Sequence, residues 1–370
     1  MDGMQAPARP ESEAMAEARR QMEICNACRY CEGYCAVFPA MTLRRDFAAG
    51  DLTHLANLCH SCKGCYHACQ YAPPHPFGVN IPATFATLRA ESYAEHAFPR
   101  ALGRAFECNG SIVAGVAALA LTLVLVLTIA LQDPAVLWSA QTGTGAFFRV
   151  IPYWLMTGMA SLTFGWAVLA IAVASWRYWR ATAPSGAVTP AAVGRMASDV
   201  VTLRNLGGGG HGCNDVDDGF SQRRRWLHQA MAGGFLLCFA ATTVGAFYHH
   251  FLGWKSPHAF LSLPVQLGSW GGVLLCIGTA GLLHVKAITD PGPVARKLLG
   301  GEVAMLALLF LVSATGLLLL AVRHTGAMGL MLAIHLGLVL AFFLVLPYSK
   351  MVHAPFRALA LLRNAMETRR

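Results

Sequence analysis

The chain has 370 residues, of which 55% are hydrophobic and only 13% charged, with a net charge of +9 and a mean hydropathy of +0.48. Soluble domains carry about 25% charged residues, so this composition excludes an ordinary soluble protein and requires an integral membrane one. The basic excess gathers at the ends of apolar spans, which is the signature of membrane topology; no nucleic acid is expected as a partner.

In chain order, a charged, helix-prone stretch comes first, with no apolar signal-peptide core before the first cysteine. Two cysteine runs follow: Cys25, Cys28, Cys31 and Cys35, then Cys59, Cys62, Cys65 and Cys69. Each has the C-x2-C-x2-C-x3-C spacing in which three thiolates hold one [4Fe–4S] cube and the fourth ligates the other cube. The spacing predicts one cluster on Cys25, Cys28, Cys31 and Cys69, and a second on Cys59, Cys62, Cys65 and Cys35. Ala36 and Gln70 stand where a proline usually follows the fourth cysteine, a departure that removes no ligand. Disulfides belong to small secreted chains, and zinc favours separated cysteine pairs, so neither fits this double run. Of the other cysteines, Cys238 and Cys276 fall in apolar spans and read as buried packing residues; Cys108 and Cys213 fall in loops and receive no ligand role.

Residues 1–107 are therefore expected to form a helical, ferredoxin-like domain built around two [4Fe–4S] clusters rather than around a large apolar core. Pro73-Pro74-His75-Pro76 sets an extended exit from the second run. Residues 108–370 contain six uncharged runs able to cross about 30 Å of hydrocarbon: Ser111–Leu131, Ile151–Trp176, Leu227–His249, Leu267–Leu283, Val303–Val322 and Met328–Pro347. The fold class predicted is all-α, the cluster domain being followed by a six-helix transmembrane bundle of cytochrome b type. Arg177 to Arg225, then Lys286, Arg296 and Lys297, then the tail with Lys350, Arg357, Arg363, Arg369 and Arg370 make one side basic; Arg149, Lys255 and Arg323 lie opposite. The positive-inside rule puts the basic side, both termini and the clusters in the cytoplasm, in a multi-pass protein of the inner (plasma) membrane.

Between the second and third spans, Gly207-Gly208-Gly209-Gly210-His211-Gly212-Cys213 precedes Asn214, Asp215, Asp217 and Asp218. It lacks the spacing of a dinucleotide loop and reads as a flexible or partner-contacting loop. Ionisable residues in or at the rim of a bilayer mark sites. His228 and His249 are twenty-one residues apart on the third span, about 31 Å along a helix; His335 lies in the outer half of the sixth span and His353 just past its cytoplasmic end. Bis-histidine ligation of haem b needs two imidazoles at one depth, which His228 with His353 and His249 with His335 provide, for one or two haems. His250 competes with His249, while His284 and His324 read as interface residues. Arg223, Arg224 and Arg225 beside His228 are either propionate partners or topology anchors.

The segments Leu332–Leu336 and Leu346–His353 resemble the end of the last haem helix in the respiratory nitrate reductase gamma subunit. Over nearly the whole chain, the two cysteine runs with Gln70-Tyr71-Ala72-Pro73-Pro74-His75, the Gly207–Cys213 loop, Arg224–His228 and Leu236–Thr242 resemble the tricarballylate (citrate) utilisation protein B family. That resemblance implies an electron-transfer subunit of an oxidoreductase, receiving electrons from a cytoplasmic FAD-dependent dehydrogenase and passing them through clusters and haem b to the quinone pool, with no catalytic residue of its own. Lys63, His67 and the Gly207–Asp218 loop are the expected docking surfaces. A heterodisulfide-reductase-like thiol enzyme would carry a Cys-Cys-Gly segment, and none is present; a transporter with regulatory clusters would carry mid-membrane acidic residues, whereas Glu302 alone approaches a span.

Overall fold

The computed structural model describes residues 11–182, 184–208 and 211–368. Gly209 and Gly210 of the glycine run, and Arg369 and Arg370 of the basic tail, lie outside them. The described residues are helical, apart from one isolated antiparallel bridge between Cys213 and Ser221.

The N-terminal domain comprises α1 (Glu13–Cys28), α2 (Val37–Thr42), α3 (Ala49–Leu58), α4 (Gly64–His67) and α5 (Ile81–His96). Ser12 caps α1 by accepting from Met15 N, and the helix stops at Arg29, whose left-handed φ of 55° lets its N–H close on Cys25 O. The domain has a substantial apolar core of Met22, Phe38, Met41, Leu52, Leu55, Leu58, Phe85 and Leu88, all at most 2% exposed. The expectation of a domain folded around its metals is corrected accordingly. Burying side chains of this size contributes about 1.5–3 kcal/mol each, and part of the core arrives from the far end of the chain, as Ala360 and Leu361.

Among the described residues, six helices are long and apolar enough to cross a membrane: α6 (Asn109–Leu131), α9 (Tyr153–Ala181), α11 (Arg223–Leu252), α12 (Leu263–Ile288), α13 (Leu299–Val322) and α14 (Met328–Val345), with short α7 (Pro134–Trp138) and α8 (Ala146–Val150) between α6 and α9 and α10 (Pro190–Thr202) after α9. Their core joins Val113, Ala120 and Val124 of α6, Met305, Leu308 and Leu309 of α13, and Leu332, Ala333 and Phe342 of α14, with Ala167 of α9. The helices α11 and α12 form a closely packed pair. A Cβ at Gly234 would lie 2.6 Å from Leu275 N, and one at Gly278 would lie 2.4 Å from Met231 N. Glycine there permits the backbone approach on which association in lipid depends. Cys238 and Cys276 lie in this pair but are half-exposed rather than buried.

The final helix, α15 (His353–Glu367), returns from the bundle into the cluster domain. Arg363 binds Asp51 at 2.7 Å, Arg44 bridges Asp51 (2.8 Å) and Glu367 (2.7 Å), and Phe356 sits edge-on to Tyr93 at 5.2 Å. Tyr348 donates to Phe98 O at 2.9 Å and accepts from Trp166 Nε1 at 3.1 Å, while Arg177 reaches Ala97 O at 2.6 Å. These contacts seat the cluster domain on the basic end of the bundle.

Candidate metal centres

The two cysteine runs are shaped differently. Cys25 and Cys28 sit one turn apart on the last turns of α1 and share a face. Cys59 ends α3, and the next turn winds through two left-handed residues, Ser61 (φ 53°) and Lys63 (φ 68°), before Cys65 in α4. Ser61 N donates to Cys59 Sγ at 3.4 Å, the type of contact that tunes a sulfur ligand. The runs interleave. Cys25, Cys28, Cys31 and Cys69 line one cavity of about 240 Å³ with Tyr30, Phe38 and Tyr71; Cys35 lies among Cys59, Cys62 and Cys65. The crossed grouping, three cysteines of one run with one of the other, is the one the spacing predicts for two iron–sulfur sites. Burial, reinforced by Cys69, pushes the Cys25 thiol up to about 12, and burial does the same for Cys31. Loading metal on these thiols must therefore release protons. Ala36 and Gln70 are accommodated without proline: Ala36 opens α2, and Gln70 turns its amide toward Cys28 Sγ at 3.9 Å.

Cys59 and Cys62 of the second run are buried, and Cys65 and Cys69 are half-buried. The described residues of the Gly207–Asp218 segment, expected to be a flexible or docking loop, fold back over Cys62. Cys213 is fully buried and donates to Leu206 O at 2.8 Å, Asn214 N donates to Cys62 O at 2.9 Å, and a Cβ at Gly208 would stand 3.8 Å from Cys62 Sγ. Gly212, with φ of 131°, passes so close to Ser221 that a Cβ would lie 2.5 Å from its carbonyl oxygen, so the lid depends on glycine there. Its outer stretch from Val216 to Phe220, with His211, is exposed. Lys63 is likewise no surface residue: it is buried, with Nζ on Asp215 O at 3.3 Å and on Thr289 Oγ1.

Three arginines from three helices grip the same turn. Arg89 of α5 donates to Ala56 O (2.9 Å), Cys59 O (2.8 Å) and Ser61 Oγ (2.9 Å). Arg224 of α11 donates to Ser61 O (2.6 Å) and His60 O (3.1 Å). Arg357 of α15 donates to Cys59 O (2.7 Å) and Asn57 O (3.3 Å). Sequence reasoning reads Arg224 and Arg225 as propionate partners or topology anchors; at the start of α11, Arg224 also holds the cysteine turn and Arg225 holds Thr202 O. Burial and the neighbouring Arg89 charge push Arg357 down to about 10. Like charges held this close favour an anionic group beside them.

Directly behind this turn, the His228 and His353 rings meet edge to face, with centroids 6.1 Å apart and planes 84° apart. Two imidazoles on one metal ion, each nitrogen about 2.0 Å from it, place their centroids about 6.4 Å apart, so the separation of His228 and His353 is compatible with a shared metal ion. The His353 ring is oriented by donation from Nδ1 to Lys350 O, leaving Nε2 free, and burial together with the Arg357 charge holds it well below the ordinary histidine range, in the neutral form a metal requires. Nδ1 of His228 has no partner. The outer pair is not drawn together in this way. His335 bonds Thr315 Oγ1 through Nδ1 at 3.2 Å and rests on Gly316, where a Cβ would lie 3.0 Å from its ring. His249 stacks on Tyr153 with centroids 4.0 Å apart, and His250 bonds the same tyrosine hydroxyl at 2.7 Å. His258, in the short loop before α12, completes this outer group over Gly245; only its position after Pro257 could have marked it in the sequence.

The family profile described as citrate utilization protein B matches residues 110–370, and its Fer4-like domain matches residues 18–95. The chain belongs to the citrate utilization protein B family. It is 43% identical over 362 residues to the citrate utilization protein B of Escherichia coli, covering 97% of this chain and 94% of that protein. No solved structure matches it. The Fer4-like match makes the cysteine domain of this family member an iron–sulfur domain, and the six apolar helices give it a membrane part. An iron–sulfur electron-transfer role follows for the chain as a whole.

Proposed function

We propose that this protein carries electrons from a cytoplasmic FAD-dependent dehydrogenase, of the kind that oxidises tricarballylate or citrate-like acids, through two [4Fe–4S] clusters and haem b to the quinone pool of the inner membrane. The observation that carries this reading is the juxtaposition of the crossed cysteine sets with the His228–His353 pair at the basic end of the bundle. When bound, the clusters and haem supply one-electron chemistry at potentials set by ligation, hydrogen bonds and burial. The chain's own residues hold and insulate them: Cys25, Cys28, Cys31 and Cys69 near the surface, Cys59, Cys62, Cys65 and Cys35 under the Gly207–Asp218 lid, His228 and His353 behind, and His249 and His335 for a second haem near the outer face.

The exposed approach to the first set, with Tyr30 68% and Phe77 47% exposed, replaces Lys63 as the docking surface for the dehydrogenase. A cytoplasmic location for both termini is supported by Arg177, which bonds Ala97 O beside the cluster domain, because basic span ends face the cytoplasm. The citrate utilization name of the 43% identical relative supports a tricarboxylate as the partner's substrate. The test is to mix membranes containing the protein with a reduced FAD-dependent dehydrogenase and follow haem reduction and then quinone reduction in wild type and His353→Ala. Wild type should reduce quinone, and His353→Ala should lose low-spin haem absorbance while keeping its iron–sulfur content. Full haem absorbance in that variant overturns the ligand assignment.

A further inference from the structure

Each inner histidine has an arginine one helical turn away, and both arginines reach the same cysteine turn. Arg224 precedes His228 by four residues on α11, and Arg357 follows His353 by four on α15; residues so spaced share a helix face. Arg224 donates to the carbonyls of Ser61 and His60, Arg357 to those of Cys59 and Asn57, and Arg89 joins them at Cys59. Among the described residues, neither Arg89 nor Arg357 has a carboxylate within ion-pair distance, whereas Arg224 lies 3.7 Å from Asp215. Lys63 adds a further cation on Asp215 O, and Asp290 lies at 3.7 Å from His67. Asp215 can therefore offset one cation of this group, leaving two guanidiniums uncompensated in a buried setting.

The first cysteine set has no such surroundings. Its nearest guanidinium, Arg29, is exposed and folds onto Asn26 O at 3.0 Å, where solvent and salt screen it. A cation beside a redox group stabilises the more negative, reduced state, and does so more strongly the less water intervenes.

We infer that Arg89, Arg224 and Arg357 form a cationic collar that raises the reduction potential of the group held by Cys59, Cys62, Cys65 and Cys35 above that of the group held by Cys25, Cys28, Cys31 and Cys69. The collar thereby sets the order of electron flow, one electron at a time, from the exposed set to the enclosed set facing His228 and His353. This inference rests on the proposed function and adds to it the direction and the residues that impose it. The arginines are positioning residues and touch no substrate.

The experiment is an EPR-monitored redox titration of the purified full-length protein, with Arg89→Gln and Arg357→Gln as variants and Arg29→Gln as the exposed control. Two reduced-cluster signals with separate midpoints are expected. In each buried-arginine variant the upper one should move negative, changing the reduced-to-oxidised ratio at fixed potential at least tenfold, which is about 59 mV for one electron. The lower signal should stay in place, and Arg29→Gln should move neither. An unmoved upper signal in iron-replete Arg89→Gln and Arg357→Gln overturns the inference. Should the glutamine variants lose iron, the ligand variants decide: Cys62→Ala must abolish the upper signal and Cys28→Ala the lower, and the reverse order overturns the inference. Absence of any cluster signal in wild type would instead sink the proposed function.

Discussion

Substitution of Gly278 by Ala offers a way to displace a candidate haem ligand without touching it. The added Cβ would lie 2.4 Å from Met231 N, 2.7 Å from Met231 Cα and 2.8 Å from Leu227 O, all backbone atoms of α11 that cannot rotate away. Ordinary carbon contacts begin near 3.5 Å, so α11 must retreat from α12 by about 1 Å at a point three residues from His228. Overpacking of this kind costs about 1–3 kcal/mol, tolerable for a six-helix bundle, but metal–ligand bonds accept only about 0.2 Å of error. Gly278→Ala should therefore assemble in the membrane with its iron–sulfur content intact and lose low-spin haem at the His228–His353 site, with loss or conversion of about half the haem signal if two haems are bound. Gly233, on α11 with no atom within 4 Å of a built Cβ, is the matched control; Gly233→Ala should leave the spectrum unchanged. Full low-spin haem in Gly278→Ala, or equal loss in both variants, would refute the reasoning from helix spacing to ligation.

Other expectations follow from the same geometry. Cys28→Ala and Cys62→Ala should each lose about half of the cluster iron and acid-labile sulfide while the protein stays folded, because the domain has its own apolar core; loss of all iron in either variant contradicts two separate sets. His54 is fully buried with both ring nitrogens unpartnered, and burial with the Arg363 and Arg44 charges holds it well below the ordinary value. It stays neutral when folded and gains a proton when unfolded, so stability should fall as pH drops below about 6.5. His54→Leu should flatten that dependence in a thermal melt, and an unchanged slope excludes His54 as its source. Reporter fusions at Ala140 and after Arg370 should report opposite sides of the membrane; same-side results would mean a different number of crossings.

Helix positions and cysteine grouping were legible in the sequence because both rest on local rules. Uncharged runs bounded by arginine gave spans within a few residues of α6, α9, α11, α12, α13 and α14, and ligand spacing implied the crossed sets before any contact was known. Four features were not legible, each for a non-local reason. The core of the cluster domain is completed by Ala360 and Leu361, some three hundred residues downstream, so a reading of residues 1–107 alone undercounts it. The glycine run looked flexible because its partner surface, Cys62 and Ser221, lies elsewhere in the chain or past a turn. Lys63 looked exposed because charge is the best local sign of exposure, yet Asp215 and Thr289 supply its oxygens from two distant loops. Arg89 and Arg357 carried no signal of their place at the cysteine turn, since an arginine donating to carbonyls leaves no pattern beyond its own position.

These non-local contacts converge on α15, and that convergence has a physical reason. Electron transfer between two sites requires them to be close and to stay close, whereas a soluble domain joined to a membrane bundle by a single chain crossing would be free to tilt. The protein closes the loop: the chain leaves the cluster domain at the start of α6 and re-enters it through α15. That helix begins with His353, places Arg357 on the cysteine turn one helical turn later, inserts Phe356 between Tyr93 and Tyr178, and ends with Arg363 and Glu367 locked to Asp51 and Arg44. Fifteen residues at 1.5 Å each make a strut of about 22 Å. Along that length one rigid element fixes a candidate haem ligand, the cationic collar and the domain core in a single frame. The distance between the enclosed cysteine set and the His228–His353 pair is thus set by helix geometry rather than by the hinge of a linker.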